Sequence, residues 1–411
     1  MTTLVADELA VRPLRRLLIW AFPANLGMSV QVVGLSGVLL PLQVAAVHDG
    51  TKAVNLALVT AFGAVAAMLT QPVAGAICDR TRSRFGARGP WIVGGAFAEG
   101  LALIGLGTAG TTLQIAAWWV CVQIAYSTAQ GAFAAVLPDR VPAARRGVFS
   151  SIAGAGVMVG AIGGQILATR FAGDLPGGYL TIGGITVVAL TSFVVFNPER
   201  DNRKRPRGAL SARAVLACFW FDPRRNPDLG WAFLGRLFLL SGHFTVGSYQ
   251  LYILQDHVGL GDEAVGFLPS LGIATAGGTI LTTVLSGPLS DRLGRRRIFV
   301  FAGSVLLAAA LLMPLVAPTK AGMVAYAMLT GVAFGFYVAV DTALISEVLP
   351  ATGDFARDLG VMNIAGTLPQ VIAPAVAGVI VTGVGYAGLF PVGIVFALLG
   401  GLAIVPIKSV R

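Results

Sequence analysis

Apolar residues in this chain are gathered into long runs separated by short polar stretches. About 20 consecutive apolar residues make a helix long enough to cross a bilayer. Twelve spans are predicted, at about 17–47, 53–77, 91–110, 112–136, 148–168, 179–196, 231–255, 264–286, 298–317, 320–347, 359–382 and 386–407. Four of them carry polar residues at helical spacing. Span 1 has Asn25, Ser29, Ser36 and Gln43, and span 4 has Gln123, Tyr126, Ser127 and Gln130. Span 7 has Arg236, His243 and Gln250, and span 10 has Thr330, Tyr337 and Asp341. Each set falls on one helix face. Span 11 adds Asn363, Thr367 and Gln370 ahead of Pro374. A polar face in lipid has to meet protein or water. The stripes therefore mark either helix-to-helix hydrogen bonding or the lining of a solute path.

The basic residues set the orientation. All but four of the 29 Lys and Arg lie in the N-terminal tail, the C-terminal tail and every second loop; the four are Lys52, Arg170, Arg236 and Lys320. Cytoplasmic loops carry such an excess, so both termini are expected in the cytoplasm, in an inner-membrane protein. Trp20, Trp91 and Trp231 fall at the inner ends of their spans, where interfacial anchors belong. Residues 198–230 read as a cytoplasmic linker between six-helix bundles at 1–197 and 231–411. Within it, residues 210–221 form either a short amphipathic helix on the inner leaflet or a plain tether.

Composition removes other classes. Charged residues are only 12% of the chain, about half the share of a soluble domain. The net charge of +10 is spread over alternate loops, with no aromatic platform beside it, so nucleic acid is not an expected partner. Three cysteines without a C-x-x-C spacing predict neither a structural disulfide nor a metal site. The first apolar run is too long for a signal peptide. No phosphate-binding glycine loop or zinc motif is present, so an enzyme, an ATP-driven pump and a cofactor are not expected.

The chain repeats itself at an offset of 212 residues. Gly75, Asp79 and Arg80 correspond to Gly287, Asp291 and Arg292, Leu137 to Leu349, Arg145 to Arg357, and Gln43 to Gln255. Two six-span halves of one orientation are a parallel repeat, with the solute site expected between them. Gly287-Pro-Leu-Ser-Asp291-Arg292-Leu-Gly294-Arg295-Arg296-Arg297 resembles the signature loop of the major facilitator superfamily. The first-half copy is longer, running from Gly75 through Asp79, Arg80, Gly86 and Arg88 to Trp91. In that length it is similar to bacterial glycoside and sucrose-type cation symporters. The resemblance implies an all-α membrane protein with 12 transmembrane helices in two pseudo-symmetric bundles. It also implies that spans 1, 4, 7 and 10 line the central cavity, and that the loops of Gly75, Asp79, Arg80, Gly287, Asp291 and Arg292 gate it.

The candidate solute ligands are Asn25, Gln123, Tyr126, Gln130, His243, Gln250, Tyr337 and Asn363. Glu99, Arg236 and Asp341 are the ionisable residues well inside spans, and each costs about 2.5–3.5 kcal/mol to insert. Glu99 is read as a proton carrier or as a permanently protonated acid. Arg236 and Asp341 are read as a functional or a structural pair. Uptake of a small polar solute such as a sugar or glycoside, coupled to protons, is the first expectation for a monomer that contacts lipid, solute and proton. Melibiose-type relatives use acidic residues in spans 2 and 4 for sodium; here those spans have none. The rival is proton-driven export of a drug or metabolite. For it, Gln130-Gly131 and the glycines from Gly156 to Gly164 only approximate the antiporter motifs.

Overall fold

The structure is a computed structural model that describes residues 2–142, 145–203, 226–293, 296–348 and 355–407. For 2–13, 287–293, 339–348, 355–361 and residues 296 and 363 it describes the path of the chain alone. The linker segment 210–221 lies outside the described residues.

Among the described residues twelve helices follow the apolar runs. They are α1 Thr2–Gly34, α2 Lys52–Cys78, α3 Gly89–Gly107, α4 Thr112–Ala134, α5 Arg146–Arg170 and α6 Leu175–Phe196. Then come α7 Pro227–Gly247, α8 Glu263–Leu293, α9 Arg296–Val316, α10 Lys320–Val348, α11 Phe355–Val384 and α12 Leu389–Leu402. Among the described residues eleven helices are long and apolar enough to cross a membrane, and a shorter apolar one, Tyr386–Leu402, follows. Local chemistry sets several ends. The Thr111 side chain accepts from the Gln114 backbone N–H at 3.3 Å, and Asp174 accepts from Gly177 at 3.1 Å. Each satisfies a donor that the first helical turn leaves open. Pro90, Pro176 and Pro227 sit in first turns, where no N–H is needed. Gly385, at φ 76°, makes the left-handed turn into α12, a conformation that favours glycine.

Two differences from the apolar pattern stand out. The α1 helix begins at Thr2 and continues, through a π-helical turn at Leu35–Leu39, to Val47. The seventh span ends its regular helix at Gly247 and resumes at Gln250–Tyr252 and a π turn at Ile253–His257. Hydropathy reports burial in lipid and is blind to such changes of hydrogen-bond register.

The chain forms two compact units. One takes the residues through Val47 and those from Val65 to 203; the other takes His48–Ala64 and the residues from 226 onward. In the first unit α1 packs on α5 and α6, and α3 packs on α4 and α6. The second unit repeats these pairings, α7 on α11 and α12, and α9 on α10 and α12. Glycine allows the closest of them. A Cβ on Gly156, Gly160 or Gly164 of α5 would strike the carbonyl oxygens of Phe22, Leu26 and Val30 on α1. Small residues at four-residue spacing let backbones touch where no water drives association. In the second unit Gly278 on α8 and Gly331 and Gly335 on α10 play the same part. The stretch 48–64 is held in the second unit by polar contacts. Lys52 pairs with Asp256 at 3.0 Å, and the Tyr249 hydroxyl donates to Ala53 O at 2.9 Å.

Candidate functional site

In the first unit the membrane-embedded polar side chains sort into braces and an unfinished cluster. Gln43 is a brace. Its amide donates to Leu106 O at 2.7 Å, and its carbonyl accepts from the Tyr179 hydroxyl at 2.7 Å. The Ser29 hydroxyl donates to Val157 O on α5, and the Asn25 amide turns back onto Ala21 O of its own helix at 2.7 Å. Much of the span 1 stripe is thus spent on helix packing.

The stripe of α4 behaves differently. Gln130 Nε2 donates to the Tyr126 hydroxyl at 3.3 Å, and Gln130 Oε1 accepts from Gln71 Nε2 of α2 at 3.4 Å. All three side chains are half-buried, as is Gln123 one turn from Tyr126. These long, weak bonds leave donors and acceptors for a ligand to take over. Glu99 lies beside them on α3, within electrostatic reach of Tyr126. Its carboxyl accepts from Gln31 Nε2 of α1 in a fully buried contact.

In the second unit His243 stacks on Phe334, ring centroids 5.2 Å apart, and meets Phe244 edge-on. It borders a small cavity with Leu239, Gly303, Leu307, Thr330, Ala333 and Phe334. Among the described residues its lining comes from α7, α9 and α10 of this unit. Tyr337 is buried beside Phe334. Gln250 is half-buried where the chain resumes its helix after α7. The Arg236 guanidinium lies over Gly366 of α11, where an added Cβ would stand 3.1 Å from Nη2. The side chains of Asp341 and Asn363 are outside the described residues, so the pairing expected between Arg236 and Asp341 is not among the described contacts.

At the arginine-rich end of the first unit, Arg88 organises the loop. Its guanidinium meets Asp79 at 2.6 Å and Asp139 at 2.9 Å, and its backbone N–H donates to Glu199 at 2.9 Å. Burial alone would lower the Arg88 pKa; its bonds to the Cys78 thiol and the two carboxylates raise it instead. The charge is therefore permanent. Asn202 accepts from Ser83 N–H and donates to Thr81 O, and Arg140 donates to Asn197 O at 2.8 Å. Gly86, at φ 83°, leaves room for Glu199, which a side chain there would strike. The ends of α2, α4 and α6 are thereby tied to one loop. Gly75 and Arg80 lie at this end of α2, half-buried. For Gly287, Asp291 and Arg292, on α8, only the path of the chain is described.

The family model of the Major Facilitator Superfamily matches residues 18–286 and 245–410. The chain belongs to the major facilitator superfamily. It is a multi-pass membrane protein and a secondary transporter, with a small molecule as its substrate. The fold is similar to that of the nucleoside transporter NupG, solved as a mutant, with TM-score 0.74 and 13% identity over 95% of this chain and 97% of that one. It is also similar to a bacterial homologue of the human lysosomal transporter Spinster, solved inward-facing and unoccupied, with TM-score 0.66 and 15% identity over 96% and 95%. A search of the curated proteins returned no match.

In this transporter, sequence periodicity did not single out Gln31, Gln71, Asp139, Glu199 or Asn202. Gln31 falls off the face that carries the span 1 stripe, and Gln71 belongs to no stripe; Asp139 lies in the short helix Val136–Arg140, and Glu199 and Asn202 follow the end of α6. The charge asymmetry of the loops was legible, but the acidic partners of Arg88 come from segments far apart in sequence.

Proposed function

We propose that this superfamily member carries a small hydroxyl-rich solute, a sugar or glycoside, across the inner membrane by alternating access, with both termini in the cytoplasm. Bundles at 1–197 and 231–411, joined by 198–230, are the moving parts, and a proton drives uptake. The reading rests above all on the weakly bonded chain Gln71–Gln130–Tyr126. Neutral amides and a phenol offer donors and acceptors together, as solute hydroxyls require. Gln123 extends this surface, and Asn25, His243, Gln250, Tyr337 and Asn363 are the further ligands proposed. Glu99 beside the chain is the proposed proton carrier. Asp341 with Arg236 is the second candidate, and His243 the third. The Gly75–Asp79–Arg80 and Gly287–Asp291–Arg292 segments are the proposed cytoplasmic gates.

The test is solute flux into proteoliposomes, over a panel of sugars, glycosides and polyols. The NupG likeness adds nucleosides, whose ribose presents the same hydroxyl chemistry. Accumulation of one such solute when the outside is made acidic is the expected result. Flux indifferent to the pH gradient would remove the proton from the mechanism.

A further inference from the structure

Gln31 and Glu99 meet in the interior of the first unit with too few hydrogens between them. Glu99 is 1% exposed and Gln31 3%. The amide of Gln31 donates to Glu99 Oε1. The two remaining oxygens, Gln31 Oε1 and Glu99 Oε2, are both buried and both without a hydrogen-bond partner. A buried acceptor left unpaired is costly, because it has given up its bonds to water and gained none in return. Two such orphans, on two groups already bonded to each other, point to one missing hydrogen. A proton on Glu99 Oε2 supplies it, because the acid O–H then donates to Gln31 Oε1. Turning the amide over exchanges which atoms face each other and leaves the same need.

We propose that Gln31 and neutral Glu99 form a closed acid–amide pair that ties α1 to α3, and that Gln31 is the positioning residue for the proton of Glu99. Loss of that proton removes one of the two bonds and sets an anion against the Gln31 carbonyl oxygen. The tie between the helices then weakens, so protonation of Glu99 and movement of α1 become one event. This deepens the assignment of Glu99 as proton carrier, but the existence of the pair is a separate claim.

The surroundings leave the titration to this pair. On α4, Tyr126 shares the electrostatic environment of Glu99, and its hydroxyl is engaged by Gln130; Cys121 is exposed. On α6, the Tyr179 hydroxyl is taken by Gln43. On α1, Arg15 and Arg16 lie about four turns from Gln31.

The experiment is infrared difference spectroscopy on the full chain in proteoliposomes as pH is stepped, run beside transport assays. Wild type should show the C=O stretch of a protonated, hydrogen-bonded carboxyl at neutral pH, absent from Glu99→Gln. In Gln31→Leu that band should move to the frequency of a carboxyl with fewer bonds. Its pH midpoint, and that of transport, should shift by about one unit or more, a tenfold change in proton affinity. Glu99→Gln restores both bonds as an amide–amide pair and should keep wild-type thermal stability, which separates loss of the proton from loss of the fold. No carboxyl band in wild type, or a band and midpoint unmoved in folded Gln31→Leu, overturns the pair. A pair that behaves as stated while Glu99→Gln still accumulates solute against a pH gradient leaves the pair standing and defeats the carrier assignment instead.

Discussion

An ionisable side chain inside a membrane helix is retained against a cost, and Glu99 shows how packing contains it. Its helix supplies no partner; Gln31, 68 positions earlier, does. Glu99→Gln should therefore abolish pH-driven accumulation while solute exchange down its own gradient survives, as read by counterflow in proteoliposomes. The half-buried amide chain predicts a different phenotype. Gln130→Leu removes the group that joins Gln71 to Tyr126. A neutral hydrogen bond to a solute hydroxyl contributes about 0.5–1.5 kcal/mol, so the variant should bind solute about 2- to 13-fold more weakly, with the pH dependence of transport unchanged. Weakened coupling with intact affinity would place Gln130 in the proton path instead.

At the scale of helices, the first unit depends on backbone contact between α1 and α5. Gly160 faces the Leu26 carbonyl oxygen, whereas a Cβ on Gly163, three residues on, would meet nothing within 4 Å. Gly160→Val should destabilise the protein by about 1–3 kcal/mol through overpacking, seen as a lower melting temperature in detergent. Gly163→Ala should melt like wild type. The glycines from Gly156 to Gly164 had suggested, as a sequence motif, a partial likeness to antiporters. In the fold, Gly156, Gly160 and Gly164 form a packing face, and only Gly163 stands free of it.

For the molecule as a whole, the tied loop at the arginine-rich end of the first unit sets a second requirement. Arg88 binds two carboxylates that are themselves half open to water, with Asp79 at 62% and Asp139 at 47% side-chain exposure. Arg88 itself is only 12% exposed, so water screens these pairs from the carboxylate side; the proposed gate would break and re-form them. Asp79→Asn should slow turnover while equilibrium binding of the solute stays close to wild type. A large loss of binding at normal turnover would move Asp79 from the gate to the solute site. The stretch 48–64 carries a related expectation. Lys52→Gln combined with Tyr249→Phe removes the Lys52–Asp256 ion pair and the Tyr249 bond to Ala53 O, so hydrogen exchange should accelerate over 48–64 and not over 65–78.

Length and hydropathy determined the number and rough bounds of the helices, because a bilayer accepts only spans of a set length with satisfied backbones. The repeat and the loop motif marked the family because both are read from residue identity and order, without reference to packing. What each polar residue does was decided by tertiary structure. Gln43 and Gln130 read alike as amides on a polar face, yet one has its amide and carbonyl held in strong bonds and the other is held only by weak ones. Gln31 carries no periodic signal, and its meaning comes wholly from the acid packed against it. Periodicity records which face a residue takes, whereas hydrogen bonding between helices depends on which face of which neighbour arrives there.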